Sequence, residues 1–598
     1  MKKKLSFVDS ITCKSLQFIF LVSPALCISF VVLEIVFCLI PIFSAKIISQ
    51  IINIFTAFND SQFKYLMIIV AFYIVMNAMV KVLSPVRSTI SERLSDKIAR
   101  DSEVMFNSKV TSLFSINCFE NAQFFNEMQL AKNGCGIRLI SALQMISSLL
   151  RGIITVFLTA GYMLDVHWLI GAISLLAVIP DTFYTFWAAK NRVALFRSRT
   201  ESSRKLSYFS SLLSSPGYAK EVRLFNLGEY ILDKYRNLFS AEYKRINKVR
   251  NKHCMIGVVS ASIGAAVNGI AILLFIRMAI DSRISAGNIV LYISLLPQFI
   301  GGLQMLINSV AQTKDNNYYI KHFFDFLNRD FGEENGWRKL PGENLRICEM
   351  SVRNLSFHYP NTESYALKNI SFTVSSPSLV AVVGENGSGK STLIKLLMRL
   401  FDASNGEITV NGIRIQEYDI VELRRTMSGV FQDPARFAFT IRENLLLDSD
   451  ASSIGLREME EACQNANLLD LVNNFPGKFE TILDKQFEGG TDLSSGQWQK
   501  LSLARAYLAN ASVLFFDEAS ADLDPKAEQI FYQSIRKYAE DKIAFYITHR
   551  LSGTKDADLI IVLKKGEIAE IGKHSDLIKR NGEYSHLYHA QADEYELE

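Results

Sequence analysis

Long apolar stretches are concentrated in the first half of the chain. Six of them are long enough to cross a hydrocarbon core of ~30 Å at ~1.5 Å per helical residue. Sixteen residues precede the first stretch, and no small-residue cleavage site is followed by a soluble mature chain, so we expect a retained helix rather than a signal peptide. The predicted membrane-spanning helices are roughly 17–41, 63–85, 139–162, 167–189, 254–277 and 286–310.

Basic residues indicate the orientation of these helices. Lys and Arg are frequent in the connections 86–138 and 190–253, which places both connections in the cytoplasm. The even number of spans then leaves both termini in the cytoplasm, as expected for a multi-pass protein of the cytoplasmic (inner) membrane. Both basic connections carry apolar residues at helical spacing beside charged faces, so we expect the spanning helices to continue into water.

A few polar residues interrupt the apolar stretches: Glu34, Asn77, Arg151, Asp181 and Asn268. An Asp or Arg at the bilayer centre costs about 2.5–3.5 kcal/mol on insertion scales, so such groups face a cavity or a partner helix. Both interpretations stay open for most of these residues. For Asp181 we expect the cavity.

The second half of the chain has a different pattern. Hydropathy falls after Gln312, and a charged stretch containing Gly and Pro covers 328–344. From 345 onward, β-branched runs alternate with amphipathic stretches, which indicates an α/β domain with a mainly parallel sheet. We therefore expect a multidomain chain: an all-α six-helix transmembrane domain with long cytoplasmic extensions (1–327), a linker (328–344) and an α/β domain (345–598).

Composition narrows the functional classes. The 598 residues are 49% hydrophobic and 21% charged, with a mean hydropathy of +0.15, which excludes disorder and favours a membrane protein. A net charge of +4 gives no support to nucleic-acid binding. The eight cysteines contain no CxxC pair, so neither a zinc site nor a disulfide framework is predicted.

The most specific motif is a glycine-rich loop between the apolar strand 379–383 and the helical run 393–400. Such a loop lets backbone N–H groups surround phosphate oxygens, while Lys390 neutralises phosphate charge and the Ser391 hydroxyl can bind Mg²⁺. This order of strand, loop and helix predicts an α/β P-loop nucleotide-binding domain. The residues expected to contact the nucleotide are Gly384, Glu385, Asn386, Gly387, Ser388, Gly389, Lys390, Ser391 and Thr392.

A second apolar strand, 512–516, ends in two carboxylates, Asp517 and Glu518. The first can hold Mg²⁺, and the second can orient or deprotonate an attacking water, as phosphoryl-transfer sites require. Together with the glycine-rich loop, this pair predicts hydrolysis of a nucleoside triphosphate with Mg²⁺.

The segment Leu493-Ser494-Ser495-Gly496-Gln497 opens an amphipathic helix and resembles the signature motif of the ATP-binding cassette (ABC) family. The family's other elements follow in order, and the resemblance to an exporter-type half-transporter covers nearly the whole chain. It implies that Tyr359 stacks on adenine, that Gln432 contacts Mg²⁺ and water, and that His549 senses the γ-phosphate. It further implies nucleotide contacts from Ser494, Ser495, Gly496, Gln497 and, in the D-loop 520–524, Asp524.

One departure from the family pattern is Ser495, which stands where the second signature glycine is usual. Because Glu518 and His549 are both present, we expect catalysis by Glu518, His549 and Gln432, with Ser391, Gln432 and Asp517 as Mg²⁺ ligands. In the family, a nucleotide lies between two cassettes. The resemblance thus implies a homodimer, with a heterodimer of two half-transporters as the alternative.

The same resemblance suggests how the two halves communicate and what is carried. Segments 119–125 and 219–225 resemble coupling helices, and 487–490 resembles the exporter loop that meets them. The chain is most similar to exporters of bacteriocin-type peptides, notably lantibiotics, that lack a peptidase domain. Glu34 and Asp181 would suit a cationic peptide cargo. A lipid or multidrug exporter is the alternative, and an ATP-gated channel is less favoured because Glu518 is intact.

Overall fold

The chain folds into two compact units. One combines Met1–Val110 with Asn126–Arg329, and the other combines Thr111–Phe125 with Asp330–Glu598. The second unit therefore includes a short segment from the helical half. The computed structural model describes residues 11–56, 62–166, 176, 179–180, 182–188, 202, 204–281, 285–331, 336, 338, 346–360, 362–447, 454–509, 511–519 and 525–596.

The first half is helical throughout its named elements. Within the described residues of this half, five helices are long and apolar enough to cross a membrane. The predicted span 167–189 falls largely outside the described residues. The helices are α1 (Ile11–Val22), α2 (Pro24–Thr56), α3 (Phe63–Thr111), α4 (Asn117–Glu120), α5 (Ala122–Gly134), α6 (Ile137–Val166), α7 (Ala219–Leu224), α8 (Gly228–Asp281) and α9 (Ala286–Asn328).

The first spanning helix differs from its prediction. It begins at Pro24 rather than at 17, and residues 17–22 belong to the separate helix α1. Proline lacks an N–H and disfavours helical geometry at the residue before it, so the chain breaks at Ser23. Elsewhere the prediction of long helices is confirmed, because α3 has 49 residues and α8 has 54, against about 20 needed to cross a bilayer.

Ion pairs and hydrogen bonds join the spanning helices. Oε1 of Glu34 lies 2.8 Å from Nε of Arg87, and its Oε2 lies 3.2 Å from Nε of Arg151, with Glu34 only 1% exposed. This cluster links α2, α3 and α6. Between α3 and α2, Nδ2 of Asn77 also donates to Oγ of Ser44 at 3.4 Å. Helix pairing is thus the correct interpretation for Glu34, Arg151 and Asn77.

These contacts correct the expected role of Glu34 in binding a cationic cargo. Its carboxylate is buried and already faces two guanidinium groups, so the cluster carries one net positive charge. The expectation that Glu34 attracts a cation is therefore wrong. Asn268 is half-buried on α8, and Asp181 lies outside the described residues.

The described residues of the second half form two β-sheets. An antiparallel sheet has the order β2-β1-β4-β5, and a six-stranded sheet has the order β10-β9-β3-β8-β7-β6. In the larger sheet all neighbouring strands are parallel except β10 and β9. The strands are β1 (Glu349–Phe357), β2 (Leu367–Ser375), β3 (Ser378–Val383), β4 (Asn405–Val410), β5 (Ile413–Arg414), β6 (Met427–Val430), β7 (Val513–Asp517), β8 (Ile543–Ile547), β9 (Leu559–Lys564) and β10 (Glu567–Gly572).

Helices cover this sheet and bury its central strands. All five residues of β7 and all five of β8 are buried, which explains their continuous apolar sequences. Ile547 at the end of β8 pairs with both Val382 and Asp517, so the carboxyl ends of β3, β8 and β7 lie side by side. The helices are α10 (Lys390–Leu397), α11 (Ile420–Arg425), α12 (Ile441–Leu445), α13 (Leu456–Asn465), α14 (Leu469–Asn474), α15 (Ser495–Leu508), α16 (Pro525–Tyr538), α17 (His574–Lys579) and α18 (Glu583–Glu596).

Candidate nucleotide site

The glycine-rich loop lies between β3 and α10, as predicted, and its backbone requires glycine at two positions. Gly384 has φ +148°, and a Cβ there would lie 2.1 Å from the carbonyl oxygen of Leu563. Gly389 has φ +103°, and a Cβ there would lie 2.6 Å from Cδ2 of Leu367. The spacing of these glycines therefore reflects both backbone conformation and close packing against neighbouring strands.

Lys390, the first residue of α10, places its ammonium group within the loop. Nζ donates to the carbonyl oxygens of Gly384 at 2.8 Å and Glu385 at 2.9 Å. Burial lowers the pKa of Lys390, while the nearby carboxylates of Glu518 and Asp517 act in the opposite direction. The cation is thus held where phosphate oxygens would enter the loop.

Ser391 and Asp517 bring a hydroxyl and a carboxylate together at the carboxyl edge of the sheet. Oγ of Ser391 donates to Oδ1 of Asp517 at 3.1 Å. Burial raises the pKa of Asp517, the bond from Ser391 lowers it, and Glu518 raises it further. Oxygen ligands of this kind are those that Mg²⁺ prefers beside nucleotide phosphates, so the residues present fit the ion.

Glu518 lies at the centre of a cluster that contains all three predicted catalytic residues. Its Oε2 accepts a hydrogen bond of 2.8 Å from Nε2 of Gln432, and its Oε1 lies 2.6 Å from Nε2 of His549. Two residues from separate places in the sequence therefore hold the Glu518 carboxylate, one at each oxygen. The backbone of Glu518 is in the left-handed region, with φ +50°, which costs a non-glycine residue on the order of 1 kcal/mol.

Tyr359 lies beside the first turn of α10. Its hydroxyl is 2.9 Å from Oγ1 of Thr392, and its ring packs edge-on against Phe357 and Phe401. The half-buried ring is thus fixed on two sides next to the loop.

Asn386 and Gly387 are exposed at the tip of the glycine-rich loop, whereas Ser388 is buried.

The signature segment forms the start of α15. Oγ of Ser494 accepts from the N–H of Gln497 at 3.3 Å, and Oε1 of Gln497 accepts from the N–H of Ser494 at 2.8 Å, which is a capping box. Ser495 is the first residue of the helix, where a serine needs no unusual backbone conformation. Ser494 and Ser495 are exposed, Gly496 is half-buried, and Asp524 lies outside the described residues.

Residues just before the first predicted coupling helix contact the α/β domain within the second compact unit. The N–H of Ile116 donates to the carbonyl of Leu400 at 3.1 Å, and Nη2 of Arg424 donates to the carbonyl of Phe114 at 2.8 Å. The segment predicted at 119–125 is two helices, α4 and α5, separated at Asn121. No motif marks Phe114 or Arg424, so sequence reasoning missed them.

The other two predicted coupling elements are exposed in the single chain. The segment 219–225 forms the short helix α7 and ends in Leu224 and Phe225, which are 74% and 64% exposed. The loop 487–490 is a turn in which the N–H of Gly490 donates to the carbonyl of Phe487. Phe487 is 52% exposed.

A glycine-rich phosphate loop, a buried Asp, and a Glu held by Gln and His together define a nucleoside-triphosphate hydrolase domain. The family model described as ABC transporter matches residues 367–521, which contain the loop, the signature and both carboxylates. This part of the chain is thus similar to an ABC-type ATP-binding cassette, and the whole chain resembles exporter-type ABC half-transporters, in which ATP hydrolysis is coupled to transport.

Known proteins support this assignment over different lengths of the chain. The subtilin transport ATP-binding protein SpaT of Bacillus subtilis is 28% identical over 96% of this chain and 93% of its own length. An ATP-dependent lipid A-core flippase of Pasteurella multocida is 32% identical over 56% of each chain. A bacterial Atm1-family ABC exporter with ATP bound has the same fold, with a TM-score of 0.78, 23% identity and coverage of 94% and 97%.

Proposed function

We propose that this chain exports a modified, antimicrobial-type peptide across the cytoplasmic membrane, as an ATP-driven homodimer that works by alternating access. The observation that supports a peptide cargo is the length of chain over which the relatives are similar. The relative that matches 96% of this chain is named for subtilin transport, whereas the match to the lipid A-core flippase spans 56%. A similarity that extends through the membrane half bears more directly on cargo than one over about half of the chain.

The geometry supports a specific division of labour in ATP hydrolysis. Glu518 orients the attacking water and accepts its proton, while Gln432 and His549 fix the two oxygens of that carboxylate. Lys390 and the loop N–H groups neutralise phosphate charge. Ser391, Gln432 and Asp517 would hold Mg²⁺, which supplies further charge neutralisation at the phosphates when it is bound.

A second cassette would complete the site. The exposed Ser494 lies at the start of α15, where it is accessible to a nucleotide bound by another chain. The ABC resemblance implies that arrangement, and the exposed Leu224 and Phe225 of the second coupling segment supply an apolar surface for a partner. Since every motif is present in this chain, a homodimer is the simplest assembly, and a heterodimer with another half-transporter is the alternative.

Closure of two such cassettes would be transmitted to the membrane helices through the segment before α4. Arg424 and Leu400 bind the backbone of this segment, which directly follows α3. Because α3 is one continuous helix from Phe63 to Thr111, it can carry a displacement of this segment along its length. ATP shifts the transporter toward the closed state only through its higher affinity for that state.

We also propose, from the sequence alone, that the acidic side chain of Asp181 contributes to binding of a cationic cargo. We expect Asp181→Asn to weaken export of a cationic peptide while basal ATPase activity is unchanged. Export that is unchanged in this variant would remove Asp181 from the cargo pathway.

The catalytic proposal is tested by the ATPase rate of the purified chain alone in lipid nanodiscs. Glu518→Gln should lower kcat at least ~100-fold while ATP still binds. The matched control, Glu540→Gln, removes an exposed carboxylate from the same domain and should leave the rate unchanged. If the wild-type chain and Glu518→Gln bind ATP but neither hydrolyses it, the homodimer proposal fails and a partner chain is required.

Cargo is tested in inside-out membrane vesicles that contain the chain. ATP should drive uptake of a fluorescent cationic peptide, and Glu518→Gln should abolish that uptake. Transfer of a fluorescent lipid between leaflets, without peptide uptake, would instead establish the lipid-exporter alternative.

A further inference from the structure

The predicted catalytic residue His549 lies on a short turn that follows β8. His549 reaches Glu518 through its side chain, while Thr548 stabilises the turn from the β8 side. Oγ1 of Thr548 accepts from the N–H of Arg550 at 2.9 Å and from the hydroxyl of Tyr532 at 2.8 Å. Because the imidazole is attached to this turn, the backbone of residues 548–551 determines whether Nε2 reaches the carboxylate.

A side chain from the C-terminal helix binds the same turn on both sides of Arg550. Nε2 of Gln591, on α18, donates to the carbonyl oxygen of His549. Oε1 of the same amide accepts from the N–H of Leu551 at 2.9 Å. One planar group thus fixes two backbone atoms that flank a single residue.

The helix that carries Gln591 is itself anchored near its start. The hydroxyl of the fully buried Tyr584 lies 2.6 Å from Oγ1 of Thr554 and 2.7 Å from Nδ1 of His574. The carboxylate of Glu570 accepts from the first two N–H groups of α18, those of Glu583 and Tyr584. The position of the helix axis is therefore defined before the chain reaches Gln591.

The spacing along α18 aims the amide at the turn. Tyr584 and Gln591 are seven residues apart, which is about two helical turns, so both lie on the same face of the helix. We propose that Gln591 is a positioning residue for ATP hydrolysis: it fixes the backbone around His549 and so holds the imidazole against Glu518. This inference rests on the proposed roles of His549 and Glu518.

A glutamine is specifically suited to this task. Its amide offers a donor and an acceptor in one plane, as the carbonyl of His549 and the N–H of Leu551 require. Methionine has a similar length but neither group. Glutamate keeps the acceptor for Leu551 and places a second acceptor against the carbonyl of His549.

The test uses the full-length chain in nanodiscs, with kcat, KM for ATP and ATP affinity measured for each variant. Gln591→Met and Gln591→Glu should each lower kcat about tenfold, since small misplacements of a catalytic group have effects of this order or larger. ATP affinity should stay within about twofold, because the substitutions leave the contacts of Lys390 in the glycine-rich loop and of Tyr359 in place. His586→Ala, an exposed change on the same helix, should match the wild type.

A second measurement separates positioning from general stability. In the His549→Ala background, residual single-turnover hydrolysis should be the same with Gln591 or Met at position 591, because the amide acts through the missing imidazole. A further slowing there would overturn the inference. So would a parallel loss of ATP binding in both Gln591 variants, which would assign Gln591 a purely structural role.

These outcomes differ from failure of the proposed function. If Glu518→Gln hydrolyses ATP as fast as the wild type, the catalytic assignment itself fails. If hydrolysis depends on Glu518 but Gln591→Met hydrolyses ATP at the wild-type rate, only the role of Gln591 is wrong.

Discussion

The two halves of the chain bring polar groups together in different ways. In the cassette, Glu518, Gln432 and His549 meet because they follow strands or turns at one edge of a parallel sheet. In the membrane half, Glu34 meets Arg87 and Arg151 across three separate helices. Both clusters join residues that are far apart in sequence, yet only the first is surrounded by recognisable motifs.

The difference shows which kinds of contact produce a recognisable pattern among neighbouring residues of the sequence. A phosphate loop imposes its requirements on neighbouring residues, because positive φ angles and close backbone approach demand glycine at fixed spacing. A side-chain pair between two helices needs only one suitable residue on each helix. Variants in the two clusters should therefore affect different properties, hydrolysis in one case and stability of the fold in the other.

The largest expected effect is on hydrolysis. Lys390→Met removes the ammonium group held in the phosphate loop, and we expect kcat to fall at least ~100-fold, as for loss of other preorganised electrostatic groups. Lys368→Met, an exposed change in the same domain, should stay within about twofold of the wild type. An ATPase assay in nanodiscs checks both, and a residual rate above a tenth of the wild type would contradict the role of Lys390.

The next effect concerns the membrane half. Glu34→Gln leaves two guanidinium groups without their buried carboxylate, and the loss of stability should be on the order of 3 kcal/mol. Glu92→Gln alters an exposed carboxylate on α3 and serves as the control. Thermal unfolding in nanodiscs measures both. Equal midpoints for the two variants would show that the cluster does not stabilise the helices.

Gly387 and Gly389 of the phosphate loop allow the cost of a steric clash to be measured apart from the cost of a positive φ angle. Gly389→Ala adds a positive-φ penalty and a clash with Leu367, so we expect a loss of about 1–3 kcal/mol in stability of the cassette. Gly387 has φ +77° and open space around a built Cβ, so Gly387→Ala should cost only the free energy of placing alanine at a positive φ angle. Comparable unfolding midpoints would contradict the close packing of Gly389.

Asp517→Asn should make the protein more stable and less active. Burial raises the pKa of Asp517, so ionising it at neutral pH works against folding. The native contribution of this group is therefore greatest at acid pH and is lost as the pH rises. We expect the variant to gain roughly 0.5–2 kcal/mol at pH 7. Unfolding midpoints at pH 5 and 7, without nucleotide, should show the smaller gain at pH 5.

The smallest effect is expected at the hydrogen bond between α2 and α3. Asn77→Ala and Ser44→Ala should each cost about 0.6 kcal/mol, the average for such bonds between membrane helices. The double variant should show less than the sum of the two losses. Strict additivity in thermal unfolding would show that the two side chains do not interact in the membrane.

The sequence predicted the cassette more fully than the helical half. The glycine loop, Asp517, Glu518 and the capping segment at Ser494 could be located because each depends on consecutive residues. Pro24 could have predicted the helix break before it. Because the apolar stretch continues across the break, hydropathy alone predicted α1 and α2 as one helix.

Contacts between distant side chains could not be predicted in the same way. Nothing near Gln591 distinguishes it from other glutamines of an amphipathic helix, since its partners are backbone atoms about 40 residues away. Phe114 is bound through its carbonyl oxygen, which every residue possesses. Pairing of Glu34 with two arginines required the helix packing itself.

The left-handed backbone at Glu518 has a consequence for how such transporters diverge. Glycine or asparagine would relieve much of this conformational strain, and either would remove the carboxylate that we propose as the base in ATP hydrolysis. At position 518, the residue that favours stability of the fold and the residue that favours ATP turnover are therefore different. A duplicated copy released from the need to hydrolyse would drift readily toward the relaxed residue, which offers a physical route from paired identical subunits to paired unequal ones.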